Sequence, residues 1–111
     1  MRKKNKYGAV KTEVGGIVFD SRKEAKRYIE LKEMEANGKI TNLERQKRYV
    51  LQPAFELNGK KFRPIIYISD FEYDDKDGIH HTEDAKGKIL PVFKIKAKLF
   101  AYKYGYEIEI I

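Results

Sequence analysis

Two acids and a lysine stand on short runs of strand-forming residues. Asp70 lies in Tyr67-Ile68-Ser69-Asp70-Phe71, and Asp84-Ala85-Lys86 follows after an Asp-Gly turn. A β-strand shows successive side chains to opposite faces, so Asp84 and Lys86 share one face. If a tight turn closes the two runs into a hairpin, Asp70 falls beside them. Two carboxylates at one point repel each other, and a divalent cation or the lysine ammonium can offset that cost. The pattern points to metal-assisted chemistry on an anion. An Asp–Lys ion pair with no further role is the plain alternative.

The bulk of the chain favours the same kind of partner. Its 111 residues carry 24 Lys and Arg against 17 Asp and Glu, a formal charge of +7. That excess suits a polyanion, nucleic acid foremost. The length and the 41% hydrophobic content support a single domain with one modest core. No apolar run approaches the roughly eighteen residues that a membrane span needs. The basic start, Met1-Arg2-Lys3-Lys4-Asn5-Lys6, lacks the apolar stretch of a signal peptide. The absence of cysteine excludes disulfides and thiolate metal sites, and fits a cytoplasmic protein.

Residues 1–13 read as a basic flexible arm and residues 14–111 as one domain. Gly15-Gly16-Ile17-Val18-Phe19 approaches a helix whose start is marked by Ser21 and Glu24, the S-x-x-E form of a capping box. Ala25, Tyr28, Ile29 and Leu31 give it a broad apolar face up to about Ala36, and Asn37-Gly38 is a left-handed stop. Leu43 to Leu57 reads as extended, interrupted near Gln52-Pro53 because proline removes a ladder donor. Asn58-Gly59 favours a two-residue hairpin turn. A strand from about Lys61 to Tyr73 follows, apolar on both faces as a central strand is. After the turn at Asp74 to Gly78 come a strand from about Ile79 to Lys86 and a second helix opened by Pro91. Tyr106 to Ile111 closes as a short strand. The order helix, three strands, helix, strand implies an α/β (α+β) fold with a mixed central sheet flanked by helices.

Asp70, then Asp84-Ala85-Lys86-Gly87, resembles the metal-binding signature of the PD-(D/E)XK nuclease superfamily. The element order is similar to that superfamily's restriction-endonuclease-like core. Phe19-Asp20-Ser21-Arg22-Lys23-Glu24-Ala25 and Leu51-Gln52-Pro53-Ala54-Phe55 resemble a small phage-encoded branch labelled a domain of unknown function. The resemblance spans roughly residues 6 to 111 and extends to small phage and archaeal enzymes that cut branched DNA. By this resemblance Asp70 matches the first metal-binding aspartate, Asp84 the second acid, and Lys86 the lysine beside it. Glu24 matches the acid that many members carry on the first helix. Ser69 stands where the motif's name has proline, at a position that varies widely and does not bind metal.

The resemblance implies Mg²⁺ (or Mn²⁺), a hard cation that needs only one or two protein carboxylates. Asp70 and Asp84 would hold it, with the Ala85 carbonyl as a further ligand. Lys86 would orient the attacking water or stabilise the transition state. Glu24 would position a second metal or a water, or else its side chain is only a helix cap, since one side chain cannot serve both fully. Glu83 faces away from Asp84 on an ideal strand, toward solvent or sheet-surface packing. Adjacent His80 and His81 also face opposite ways, which argues against a histidine metal site. Asp74-Asp75-Lys76-Asp77-Gly78 lacks EF-hand spacing and reads as a solvated turn.

Candidates for the DNA backbone are Arg45, Lys47, Arg48 and the basic arm, with Lys94 and Lys98 four apart on one side of the second helix. The same lysines, with Lys96 and Lys103, also read as a solvated face whose stems cover the core. The expected function is a Mg²⁺-dependent DNA endonuclease, phage-encoded, structure-selective in the manner of a Holliday-junction resolvase, and working in a bacterial host's cytoplasm. Cutting two strands would call for a homodimer. The alternatives are a non-catalytic nucleic-acid-binding accessory protein of the same fold and a basic structural protein.

Overall fold

The computed structural model describes residues 10–111. It opens with a hairpin of β1 (Thr12–Val14) and β2 (Ile17–Phe19), turned by Gly15 and Gly16 at φ 57° and 84°. Only glycine enters that left-handed region without strain. Thr12 and Glu13, expected in the arm, are therefore strand residues, and the Gly-Gly pair turns a hairpin before the helix is reached. The rest of the expected arm, residues 1–9, lies outside the described residues.

Helix α1 (Arg22–Ala36) starts as its capping box predicts, with the Glu24 N–H donating to Ser21 Oγ at 3.1 Å. It ends at Asn37, and Gly38 follows at φ 72°.

Next comes one long antiparallel ribbon, bent in two places. Its outgoing side is β3 (Ile40–Arg45), β4 (Arg48–Gln52) and β5 (Phe55–Leu57). Its return is β6 (Lys60–Phe62), β7 (Ile65–Ile68) and β8 (Phe71–Asp75). Asn58 and Gly59, at φ 51° and 74°, make the predicted turn. Leu57 faces Lys60, Tyr49 faces Tyr67, and Arg45 faces Phe71, so the three segments keep one ladder apart from two register shifts. The strand expected over Lys61 to Tyr73 is thus three strands. Pro64 breaks it first, because proline has no N–H and forces its predecessor extended. The second break, at Ser69-Asp70, lies opposite Gln46, whose φ of 55° bends the outgoing side.

Strand β9 (His80–Asp84) pairs antiparallel with β8. It ends at Asp84, so Lys86, expected on the strand, follows it in a loop. Helix α2 (Pro91–Tyr104) then crosses to β10 (Glu109–Ile110), which lies parallel to β9. The sheet order β10-β9-β8-β3 is mixed, and the fold is α+β. One core cluster gathers Phe19, Ala25, Leu31, Ile40, Phe71 and Tyr73 under α1. The other gathers Tyr49, Tyr67, Phe93, Phe100 and Ile108 under α2.

Between these clusters the central strands bury acids. Glu83 is 1% exposed and faces α1, where Arg27 donates to it from Nε at 2.8 Å and Nη2 at 2.7 Å. Tyr73 donates a further hydrogen bond at 2.5 Å. Glu83 thus packs against the sheet surface, as one of its expected placements had it, but beneath a helix rather than in solvent. Removing one partner of such a pair strands a buried charge. Arg27→Ala should lower unfolding free energy by about 3–5 kcal/mol in chemical denaturation, and adding Glu83→Leu should restore most of the loss. A loss below about 1 kcal/mol would mean that the pair contributes no more than an exposed one.

At the far end of the same strands, both histidines are clamped between carboxylates. His80 lies 2.6 Å from Glu72 and 2.7 Å from Asp74; His81 lies 2.8 Å from Asp75 and 2.6 Å from Glu109. Partial burial pulls each pKa down, yet the flanking carboxylates outweigh it and leave both above the ordinary value of 6.5. Groups raised on folding stabilise the fold fully below their unfolded pKa and lose that contribution as pH rises through the folded one. The melting temperature should therefore fall as pH is raised above 6.5. His80→Gln and His81→Gln should each flatten that slope, and a wild-type slope in both would remove the histidines as its cause.

A carboxylate cleft as candidate active site

Asp70 occupies the bend between β7 and β8, where the ribbon changes direction. Its backbone is held on both sides: its N–H donates to the Glu83 carbonyl at 3.1 Å, and its carbonyl accepts from the Gln46 N–H at 3.3 Å. Its side chain reaches across the end of β9, where Oδ2 accepts from the Ala85 N–H at 2.7 Å. Asp84 is the last residue of β9 and is 2% exposed. Its Oδ2 accepts from the Tyr67 hydroxyl at 2.7 Å, and Lys86 Nζ lies 3.3 Å from its Oδ1. The Lys86 ammonium also sits over the Phe93 ring, 4.6 Å from the centroid, which limits its swing.

Glu24 enters from the first turn of α1 and is buried. The cap employs its backbone N–H, so its carboxylate remains free to face the cleft. There it comes within hydrogen-bonding reach of Asp70, which likewise meets Asp84. Acids this close oppose one another's ionisation, so a proton or a cation among them would relieve the repulsion. Burial first, and the charge of Glu24 second, push Asp70 up to about 6, against the relief of the Ala85 N–H. Burial and then Asp70's charge push Asp84 up to about 6, with Tyr67 and Lys86 opposing. Glu24 is raised as well, chiefly by burial and also by Asp20, with Asp70's hydrogen bond and Arg45 opposing.

These groups line a cleft of about 550 Å³, together with Lys23, Ala85 and Lys88. Among the described residues no three His, Asp or Glu side chains are arranged to hold an ion by themselves. Two carboxylates, Asp70 and Asp84, nevertheless line the cleft, and Mg²⁺, which keeps several of its waters, needs no more than one or two protein carboxylates. A cation there would offset the mutual repulsion of these acids when they ionise.

The cleft brings together Glu24, Asp70, Asp84, Ala85 and Lys86 from the sequence reading. Arg45 is at its margin, 4.0 Å from Glu24, with its guanidinium stacked 4.5 Å from the Phe19 centroid. Lys47 and Arg48 are exposed on the ribbon beyond the bend. Lys94 and Lys98 are not part of the cleft; they border a separate groove with Ile108 and Ile110. Sequence reasoning passed over Lys23, Lys88 and Tyr67. Lys88 follows Lys86 by two positions, and Lys23 adjoins Glu24, so proximity was their only signal. Tyr67 carries no motif, and only its bond to Asp84 identifies it.

Carboxyls with pKa raised above 3.8 destabilise the folded state as pH climbs through that window, because the unfolded chain releases the protons more readily. Asp70→Asn should therefore raise the melting temperature at pH 7.5, with the gain vanishing toward pH 4. Mg²⁺ should stabilise the wild type but not this variant. Equal metal response in both proteins would remove Asp70 from the ligand set.

The profile of a family described as "Protein of unknown function (DUF1064)" matches residues 4–110. No curated protein and no solved structure matches the chain. With nearly its whole length covered, the chain belongs to the DUF1064 family of proteins of unknown function.

Proposed function

We propose that the chain is a metal-dependent DNA endonuclease that hydrolyses phosphodiester bonds from a restriction-endonuclease-like core of the PD-(D/E)XK type. What supports this most is the convergence of Asp70, Asp84 and Lys86 in one cleft of a chain with formal charge +7. The order α1, β3–β8–β9 sheet, α2, β10 is also the one the superfamily resemblance implies. Clustered groups with displaced pKa values in a cleft mark sites where charge is put to use.

Asp70, Asp84 and the Ala85 carbonyl would hold Mg²⁺ or Mn²⁺. When bound, such an ion neutralises charge on the phosphate and makes its water more acidic. The chain's own residues do the rest. Tyr67 stays protonated, because burial and the charge of Asp84 both resist its ionisation, so it remains a fixed donor that aims Asp84. The Ala85 N–H does the same for Asp70. Lys86 presents an ammonium, held by Asp84 and the Phe93 ring, where charge grows on the phosphate oxygens. Glu24, beside Asp70, positions the attacking water or accepts its proton. Selectivity for DNA shape, as at a Holliday junction, is the narrower reading, and what supports it is the resemblance to enzymes that cut branched DNA. Two cuts at a junction would be made by a homodimer. A phage origin and work in the host cytoplasm belong to the same reading.

Wild type and Lys86→Ala should be incubated with linear, flap and four-way DNA in Mg²⁺ or Mn²⁺. Wild-type cleavage should vanish with chelator, and Lys86→Ala should be about 10²–10³-fold slower. The rate should climb as pH passes about 6, where Asp70 and Asp84 ionise. Binding without cutting on every substrate and with either metal would instead assign an accessory role.

A further inference from the structure

A second, smaller pocket of about 210 Å³ adjoins the carboxylate cleft, and the two share Lys86, Lys88 and Leu90 in their walls. Its chemistry is different. Among the described residues its lining includes three lysines, Lys86, Lys88 and Lys96, and no acid. Its other walls are apolar, and two of them are wet: Ile68 is 54% exposed and Val92 is 58% exposed. Lys96 stands one helical turn from Phe93, which turns its half-buried stem toward the pocket, whereas Lys94 and Lys98 turn to the opposite groove. Cations beside exposed apolar side chains suit a ligand with a phosphate and an apolar face. A paired base in a duplex hides that face by stacking; an unpaired one offers it.

We infer that this pocket holds one unpaired nucleotide of the DNA strand that enters the cleft, its phosphate on Lys88 and Lys96 and its sugar and base against Ile68 and Val92. The inference rests on reading the cleft as the phosphodiesterase centre, and it names the substrate class: DNA with a single-stranded stretch beside the cut. Arg48 lies directly across the ribbon from Ile68 and continues the basic path beyond the pocket.

Binding separates this from the cleavage chemistry. Fluorescence anisotropy in chelator, over a salt series, compares a flap oligonucleotide with a blunt duplex. Lys88→Ala and Lys96→Ala should each reduce the slope of log affinity against log salt by about 0.7, the single-strand value per phosphate. Ile68→Ser with Val92→Ser should cost about fivefold or more of the preference for flap over duplex, through the apolar contact with the base that is lost. Lys32→Ala, on the outer side of α1, and unchanged melting temperatures serve as controls. Wild-type slopes and preference in the pocket variants would overturn the inference. If those variants still cleave as wild type does, the endonuclease stands without the pocket. If they lose slope and preference while the wild type cuts nothing, the pocket stands and the nuclease falls. A wild type that prefers duplex to flap overturns the pocket whatever it cleaves.

Discussion

The constraint that organises this protein is the burial of carboxylates in the two strands where a small domain would ordinarily place its most apolar residues. Glu72, Glu83 and Asp84 are 1%, 1% and 2% exposed. Each such group must find donors or be neutralised, since an unpaired buried charge costs several kcal/mol. The elements are arranged to supply them. Arg27 of α1 and Tyr73 answer Glu83 from one face. Tyr49, Thr82 and His80 answer Glu72 from the other, through Oε1, and among the described residues its Oε2 has no partner. Among the described residues Asp84 receives Tyr67 and Lys86 alone, and its neighbours Asp70 and Glu24 are acids. Two of the three buried acids are therefore tied into the scaffold, and the third opens on a cleft with its charge incompletely compensated.

The register of β8 against β9 decides which acid does which. Phe71 opposes Glu83, and Glu72 opposes Thr82, so Glu83 shares a face with Phe71 and Tyr73 beneath α1. A slip of one residue would turn Glu83 to the cleft and Asp84 to Arg27. The apolar residues of the same strands resist that slip, because Phe71 and Tyr73 would leave their core.

Much of this was legible in the sequence because it is local. Ser21 with Glu24, Asn58-Gly59 and Pro91 each mark an element boundary by backbone chemistry that acts within a few residues. Period two also placed Glu83 opposite to Asp84 correctly. The bend was not legible. Nothing in Tyr67 to Phe71 says that β7 stops at Ile68, since the interruption is imposed from the other side of the ribbon by Gln46 in a left-handed conformation. Asp70 is consequently a bend residue rather than a mid-strand one. The opening hairpin was hidden for a related reason: Gly15-Gly16 announces a turn but not whether strands flank it. The lysines were the weakest reading, because sequence shows how many cations a helix has but not which side its core takes. Phe93 and Phe100 settle that once packed, and they send Lys96 one way and Lys94 and Lys98 the other.

The ladder that runs from Asn58-Gly59 to Asp75, though broken at two bends and shifted twice in register, makes the turn a ruler for the chemistry at Asp70. Every pair from Leu57–Lys60 to Arg45–Phe71 is counted from that tip. A residue inserted or deleted between Gly59 and Asp70 moves the side chains after it to the reverse face unless a new bulge absorbs it, while a point substitution at the exposed tip moves none. Length variation among members of this family should accordingly be scarce along the ribbon's return side. Where it occurs, it should come as matched changes on both strands, which lengthen or shorten the hairpin and leave the carboxylates where they are.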